Sequence, residues 1–182
     1  MIGAGSSKAV WDNLKKLGHK IVPPVPSLFT FNSKDERIKG LSGISVPNAT
    51  VQVAASDLEA SGPLLITHWG FSGPAILRLS AWGARELNDR FYRFPILINW
   101  IGRDEDEVLA DFNDEKKHSG KKRIGNHAHY GIPLRLWKSM IAGAGIKNTA
   151  TWLNSKRPDR SEEEFEITDT PPFDTPVVGV WN

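Results

Sequence analysis

One short stretch of the sequence combines hydrogen-bonding side chains with glycines. Residues 67–74 read Thr-His-Trp-Gly-Phe-Ser-Gly-Pro and overlap the end of an apolar, strand-like run, Leu64–Thr67. The pattern predicts a strand, a tight turn and a helix that begins at Pro74, because proline suits the first helical position. The free N–H groups and the dipole of such a helix favour an anion, a phosphate or an electron-rich carbonyl in the turn.

The side chains of this turn allow two interpretations. Gly70 and Gly73 would let the backbone approach a ligand closely, and Ser72 could cap the helix or donate a hydrogen bond. The alternative is a tight connection around a core histidine, His68, whose hydrogen bonds are satisfied within the fold. The nucleophile elbow of serine hydrolases is not matched, because Gly73 follows Ser72 directly instead of one residue later.

The sequence gives less support for cysteine chemistry, a metal site or a dinucleotide-binding motif. The sequence has no cysteine, which excludes disulfides, thiolate nucleophiles and cysteine-based zinc sites. His127 and His129 would face one side of a strand and could bind a metal, but no carboxylate has helpful spacing. Exposed loop histidines are therefore the default, and we expect no metal site. Gly3–Gly5 is too short for a dinucleotide fingerprint, which would need a glycine at Lys8.

The composition is that of an ordinary globular protein. The chain has 182 residues, of which 40% are hydrophobic and 24% charged, with a net charge of +2. We therefore expect no nucleic-acid partner, and we interpret the basic residues at 116–123 as a solvated loop. No apolar run approaches the ~20 residues of a membrane span. The beginning of the sequence lacks signal-peptide features, so a cytoplasmic location without a membrane partner is predicted.

Hydrophobic periodicity predicts elements that do not alternate regularly between strand and helix. This order argues against a doubly wound sheet. It favours an α+β fold, a small β-barrel that carries a helical insertion. The predicted helices are Lys8–Leu17, Pro74–Asp89, Glu105–Lys117 and a fourth from Pro133 to about Gly143. The predicted strands are Leu28–Asn32, short strands within Leu41–Ala54 that break at Pro47–Asn48, Leu64–Thr67, Phe91–Ile101, Phe165–Thr168 and Val177–Trp181. A polar turn is predicted at Asp57–Gly62, and Pro95 predicts that its strand lies at an edge of the sheet or has a break.

Three segments resemble one flavoprotein family. They are "LGHKIVPPVPSLFTF" (Leu17–Phe31), "GPLLITHWGFSGPAILRLSAWGARELN" (Gly62–Asn88) and "GIPLRLWKSMIAGAGI" (Gly131–Ile146). They resemble the aminoacetone-oxidase-like, or BaiN/YhiN-like, NAD(P)/FAD-dependent oxidoreductases. "FEITDTPPFDTPVVGV" is a looser match to the strands where that family returns to its FAD domain. The resemblance covers nearly the whole chain but only the middle of the family's protein, so we expect a fragment of a longer flavoprotein.

The resemblance implies a division of the chain. It assigns residues 1–22 to a remnant of an FAD-domain strand and helix, 23–100 plus 165–182 to the barrel, and 101–164 to the helical insertion and linker. The partner would be the FAD domain of the same full-length protein. The cofactor would be FAD, possibly with NAD(P)H, although the FAD fingerprint is absent from this sequence.

The resemblance also implies roles for the turn. Thr67, Gly70, Ser72 and Gly73 would contact the cofactor, and His68 would donate a hydrogen bond or relay a proton. The chain would then wall the substrate cleft over the flavin, facing a small-molecule substrate, and be inactive alone. Two other hypotheses stay open: a standalone protein-binding barrel without catalytic activity, and a metal hydrolase built on His127 and His129.

Overall fold

The computed structural model describes residues 7–147, 149–155 and 163–167. The predicted strand Val177–Trp181 and the beginning of the chain up to residue 6 lie outside the described residues. The helices are α1 (Lys8–Lys16), α2 (Pro74–Trp82), α3 (Ala84–Asp89), α4 (Glu105–Ser119) and α5 (Leu134–Gly143), with 3₁₀ turns at Glu36–Ile38 and Ile124–Asn126; the strands are β1 (Phe31–Asn32), β2 (Ser45–Val53), β3 (Glu59–Ile66), β4 (Gly70–Ser72), β5 (Phe94–Asn99) and β6 (Glu163–Ile167).

The six strands form one antiparallel sheet in the order β1-β4-β3-β2-β5-β6. The sheet curls so that aromatic rings from its two sides meet. The ring centroids of Phe31 and Phe94 are 5.2 Å apart, and those of Phe71 and Phe165 are 5.0 Å apart. Edge-to-face contacts of this kind fill the interior of a barrel. The predicted α+β barrel with helices is therefore confirmed.

Two details of the strands differ from the prediction. A polar turn was expected at Asp57–Gly62, but β3 begins at Glu59 and pairs with β2, where the hydroxyls of Thr50 and Ser61 lie 2.9 Å apart. Cross-strand pairing outweighs local turn propensity here. Pro47–Asn48 does not divide the predicted segment into two strands. It forms an irregularity in the register of β2.

Pro95 was expected to place its strand at an edge of the sheet or to introduce a break. The edge position is wrong, because β5 lies between β2 and β6, and the strand continues through Pro95 from Phe94 to Asn99. The Pro95 carbonyl accepts from the Ala54 N–H at 2.9 Å, just past the end of β2. The missing N–H of Pro95 faces this same side, so it leaves the β5–β6 ladder intact, and the Ala54 carbonyl accepts from the Arg90 side chain at 3.0 Å instead.

Helix α2 packs its apolar face on β3 and β2. Ala75, Ile76 and Leu79 are fully buried there. The predicted single helix Pro74–Asp89 is two helices, because the chain breaks at Gly83 between α2 and α3. A Cβ at Gly83 would lie 2.0 Å from a terminal methyl group of Leu58, which would have to shift, and 3.1 Å from the Leu79 carbonyl oxygen.

The helical insertion has its own aromatic cluster. The side chains of Phe112 and Trp152 have ring centroids 5.2 Å apart, and the Trp137 indole donates to the Ile124 carbonyl at 2.8 Å. Helix α4 begins as predicted, since the Asp104 side chain accepts from the Glu107 N–H at 2.8 Å. None of the helices in the described part of the chain is long and apolar enough to cross a membrane.

The ends of the barrel can be named from the strand registers. The hairpin end holds the turn Thr67–Trp69 and the end of β1, where Asn32 pairs with Gly70. The Phe91 end holds Leu28, which precedes β1, and the turn Phe91–Arg93, which precedes β5. The predicted domain bounds 1–22, 23–100 plus 165–182, and 101–164 stay a prediction.

Candidate functional site

The predicted turn is the tip of a β-hairpin. The Thr67 N–H donates to the Gly70 carbonyl at 2.8 Å, and Ile66 pairs with Phe71. The predicted strand–turn–helix joint therefore contains an additional short strand, β4, before the helix. Local sequence did not indicate β4, because its three residues form a strand through pairing with β3 and β1.

His68 and Trp69 project from this tip. His68 is exposed, and 57% of the Trp69 side chain is accessible to solvent. Their ring centroids lie 6.3 Å apart. The interpretation of His68 as a satisfied core histidine is therefore wrong, since the hairpin carries it beyond the end of the barrel.

The two glycines of the motif have packing reasons of their own. A Cβ at Gly70 would lie 2.1 Å from the Phe31 carbonyl oxygen, and one at Gly73 would lie 2.8 Å from the Pro63 carbonyl oxygen. Both have positive φ angles, 150° and 102°. Their close approach is to neighbouring strands of the same chain. The proposed contact of either glycine with a cofactor is not tested by this geometry.

The helix that follows the hairpin is not capped by a side chain. Gly73 occupies the N-cap position of α2, and no side chain accepts a hydrogen bond there, so the expected capping role of Ser72 is wrong. Ser72 is half-buried in β4, opposite Leu65 of β3. The helix N-terminus lies against β3, since a Cβ at Gly62 would be 3.8 Å from the Ala75 nitrogen.

Three buried side-chain oxygens surround the base of the hairpin. They are Asn32 Oδ1, Ser33 Oγ and Thr67 Oγ1, and none has a hydrogen-bond partner among the described residues. Backbone bonds bring these residues together, because the Ser33 backbone N–H donates to the Trp69 carbonyl at 2.8 Å and Asn32 lies opposite Gly70. A buried polar group without a partner costs about 1–3 kcal/mol, so such a cluster favours a polar ligand or water.

Sequence reasoning found Thr67 but missed Asn32 and Ser33. These two residues lie more than thirty positions earlier, in a segment that looks like an ordinary strand end. Only the pairing of β1 with β4 brings them beside the turn. No local signal in the sequence indicates this pairing.

A charged pair lies shortly after this cluster along the chain. Asp35 accepts hydrogen bonds from the Arg37 side chain at 2.9 and 2.7 Å. The Arg37 guanidinium therefore holds the pKa of the Asp35 carboxyl below its usual value. Arg37 also lies 4.2 Å from the ring centroid of Phe165, which ties this segment to β6.

The two histidines of the metal hypothesis, His127 and His129, differ in their exposure to solvent. His127 is exposed, whereas the half-buried His129 ring lies 5.0 Å from the Trp152 ring and 5.4 Å from the Trp137 ring. Neither histidine lies in a strand. Within the described ranges, no group of three His, Cys, Asp or Glu side chains is arranged to hold a metal ion.

The fold and hairpin define an antiparallel barrel with an inserted helical part. Residues 25–168 match the family model of the HI0933-like protein barrel and H2TH domain, and the chain belongs to this family. This is the family of the BaiN/YhiN-like flavoproteins, so the resemblance found in the sequence is confirmed.

A curated relative supports the same assignment. The chain is 34% identical over 82 residues to a protein of Haemophilus influenzae (strain ATCC 51907 / DSM 11121 / KW20 / Rd) named ribosomal RNA dihydrouridine synthase. The match covers 44% of this chain and 20% of the relative. Because 82 residues are 20% of the relative, that protein has about 410 residues, and the 182 residues of this chain span less than half its length.

Proposed function

We propose that this chain is the substrate-side unit of an FAD-dependent oxidoreductase and that it forms a wall of the cleft over the flavin. In this proposal, FAD is held mainly by the rest of the intact cytoplasmic protein, and the unit is inactive alone. Membership of the HI0933-like family supports the assignment to a flavoprotein. FAD supplies hydride transfer when bound, whereas the residues of this chain position the substrate and exclude water.

The cluster at the base of the hairpin is the observation that carries the proposal. Asn32, Ser33 and Thr67 carry three buried oxygens that have no partner among the described residues, at the base of the hairpin whose tip carries the exposed Trp69 ring. A flavin or a heteroaromatic substrate has the matching chemistry, a flat π-face with polar groups on its rim. The residues present therefore fit such a group at the hairpin end.

His68 has the second role in this proposal. The His68 ring is exposed to solvent, and His68 directly precedes Trp69 in the sequence. A substrate ring that stacks on the Trp69 indole would therefore come within reach of the His68 imidazole. An imidazole can donate a hydrogen bond or a proton to a substrate atom near neutral pH. Thr67, Gly70, Ser72 and Gly73 then shape and support the contact surface.

The test uses a chimaera of the Haemophilus influenzae relative in which residues 25–168 of this chain replace the corresponding segment. We expect the chimaera to retain FAD and to oxidise NAD(P)H. His68→Ala should lower turnover at least tenfold and change its pH profile while FAD content stays constant. His118→Ala is the matched control, because His118 is also exposed but lies on α4.

Two outcomes contradict the proposal. Unchanged turnover of His68→Ala across the pH range removes His68 from the mechanism. Turnover by the isolated chain with added FAD contradicts its role as a dependent unit. A titration of the isolated chain with FAD, followed by tryptophan fluorescence, separates direct contact at the hairpin from binding by the rest of the protein. A chain that binds only a protein partner, with no effect on flavin chemistry, would support the standalone module.

The relative's name favours RNA as the substrate of this same site. Its name refers to the synthesis of dihydrouridine in ribosomal RNA. Making dihydrouridine saturates one carbon–carbon double bond of a uracil, and this reduction requires a hydride and a proton. The sequence-based expectation of a small-molecule substrate and no nucleic acid is not tested by the structure. Trp69 would stack on the extruded base in this alternative.

The chimaera also decides between these substrates. Expressed in cells that lack the relative, it should restore dihydrouridine in ribosomal RNA if RNA is the substrate, and Trp69→Ala should abolish the restoration. Trp82→Ala is the matched control, since Trp82 is exposed at the end of α2. NAD(P)H oxidation without dihydrouridine formation supports a small-molecule substrate instead.

A further inference from the structure

Two large, exposed apolar side chains occupy a left-handed backbone conformation. Leu28 has a φ of 58° and is 54% exposed, and Phe91 has a φ of 54° and is 84% exposed. This conformation is unfavourable for bulky residues and is usually given to glycine or asparagine. Both side chains stay more than half exposed, so burial within the described fold offsets only part of this cost. Their presence at these positions therefore needs another explanation.

The two residues adjoin one aromatic contact. Each immediately precedes an aromatic residue, and the rings of Phe29 and Tyr92 meet edge to face at a centroid distance of 5.5 Å. Phe29 is buried and Tyr92 is partly buried against the core. Leu28 and Phe91 therefore flank a fixed aromatic contact. We call the two side chains and this contact the Phe91 surface.

Polar contacts hold this surface rigid. The Arg90 guanidinium donates to the carbonyls of Ala54 and Ala55 at 3.0 Å each, and to the Glu86 carboxylate at 2.8 Å. The Tyr92 hydroxyl donates to the Asn88 side chain at 3.1 Å. A turn that is fixed in this way presents Phe91 with little further loss of conformational entropy on binding.

On the other side of the surface, the Phe29 N–H donates to the buried Ser80 hydroxyl at 3.1 Å. This bond fixes the backbone next to Leu28 to helix α2. Both halves of the Phe91 surface are therefore anchored to the barrel.

The described residues nearest to the two boundaries of the family domain lie at this end of the barrel. The match begins at residue 25, three residues before Leu28, and ends at residue 168. Ile167, the last residue of β6, pairs with Phe94, three residues after Phe91. In a longer protein of this family, the polypeptide on either side of the domain is therefore tethered beside the Phe91 surface. Tethering gives that neighbouring part a high effective concentration here.

We propose that the Phe91 surface is the docking site for the flavin-binding part of the same intact protein. This inference rests on the proposed function, because it assumes that such a part flanks the domain. The partner surface is apolar, with a pocket for the Phe91 ring and a contact for Leu28. The backbone strain is stored in the isolated unit and is offset by this burial on docking.

The first experiment uses Leu28→Asp/Phe91→Asp in the isolated chain and in the chimaera. Leu153→Asp is the matched control, because Leu153 is 65% exposed and lies in the helical insertion. In the isolated chain, all of these variants should melt within about 2 °C of the wild type, since exposed sites contribute little. A large fall in melting temperature for the double variant alone would mean that the two side chains serve the barrel itself and would overturn the proposal.

The second measurement is hydrogen–deuterium exchange of residues 86–93. We expect these amides to exchange at least tenfold more slowly in the wild-type chimaera than in the isolated chain. The double variant should lose this protection, and Leu153→Asp should keep it. Equal exchange in both proteins would overturn the inference. A concentration-dependent dimer of the isolated chain that the double variant abolishes would assign the surface to a second copy and would also overturn it.

The same chimaera distinguishes this inference from the proposed function. FAD content and NAD(P)H oxidation report on the function, whereas exchange protection reports on docking. A chimaera that is active without protection at residues 86–93 contradicts the docking site alone. A chimaera that is protected there but holds no FAD contradicts the proposed function alone.

Discussion

The two ends of the barrel each present an aromatic side chain to solvent, but their surroundings differ. Trp69 at the hairpin end lies beside buried oxygens that have no partner among the described residues. Phe91 at the other end lies beside Arg90 and Tyr92, whose polar side chains make hydrogen bonds. Unpartnered polar atoms favour a polar ligand, whereas a satisfied and strained turn with exposed apolar groups favours an apolar partner. The comparison separates a ligand surface from a docking surface.

The largest expected effect concerns the hairpin end. Gly70→Ala should destabilise the fold by about 4 kcal/mol or more, because its Cβ would meet the Phe31 carbonyl and force β1 away from β4. Urea denaturation measures this change. Gly131→Ala is the control, since Gly131 has a φ of 71° with open space around its Cβ position. It should cost only about 1 kcal/mol. Equal losses in the two variants would contradict a tightly packed hairpin base.

A pair of substitutions three residues apart tests the Phe91 end. Phe94→Ala should cost about 3–5 kcal/mol, because Phe94 is only 2% exposed and packs on Phe31. Phe91→Ala should change the free energy of unfolding of the isolated chain by less than about 0.5 kcal/mol. Thermal and urea unfolding measure both values. A loss above about 2 kcal/mol for Phe91→Ala would mean that this ring stabilises the barrel directly.

A substitution at the hairpin base should separate stability from ligand binding. Thr67→Val replaces an unpartnered hydroxyl by a methyl group of the same shape, so stability should be unchanged or rise by up to about 1 kcal/mol. Substrate affinity of the chimaera should fall at least fivefold if this oxygen binds ligand. Thr50→Val is the control, since the Thr50 hydroxyl is hydrogen-bonded to the Ser61 hydroxyl on the exposed strand surface. A stability loss without an affinity change would contradict the ligand role.

The smallest expected effect is a change in the titration of the two tyrosines of the chain. Burial raises the pKa of Tyr92 above its usual value near 10, and burial, with the nearby Asp111 carboxylate, raises the pKa of Tyr130 to about 12. In the Tyr130→Phe variant, the change in absorbance at 295 nm with pH should report the ionisation of Tyr92 alone. Docking on the Phe91 surface should raise the pKa of Tyr92 further. Tyr92 should therefore lose its proton at a higher pH in the chimaera than in the isolated chain.

The raised pKa values also predict a loss of stability in alkali. Both hydroxyls hold their protons more tightly in the folded chain than in the unfolded chain. Their contribution to stability is complete below pH 10 and is lost as the pH rises through the folded-state pKa values, which for Tyr130 means up to about 12. Tyr130→Phe should flatten this part of the stability profile. An unchanged profile would contradict the assignment to Tyr130.

Much of the fold could be predicted from periodicity and caps. The helices at Lys8, Pro74, Glu105 and Leu134 begin within one residue of their expected positions, because proline and aspartate signals are local. The errors concern β3, β4 and Pro95, where strand pairing outweighs local preference. The family resemblance identified the Thr67–Pro74 motif, but not its polar neighbours Asn32 and Ser33.

The sequence by itself determined the class of the protein: an α+β barrel with helices, without cysteine chemistry, in a flavoprotein family that its motifs resemble. Only the tertiary structure decided where the exposed and unpartnered groups lie. Pairing of β1 with β4 collects the polar cluster around the hairpin, and the ring contact of Phe29 with Tyr92 joins Leu28 to Phe91. Both surfaces combine segments about 35 to 63 residues apart. Spacing along the chain cannot encode such proximity, because it arises from long-range packing and hydrogen bonding.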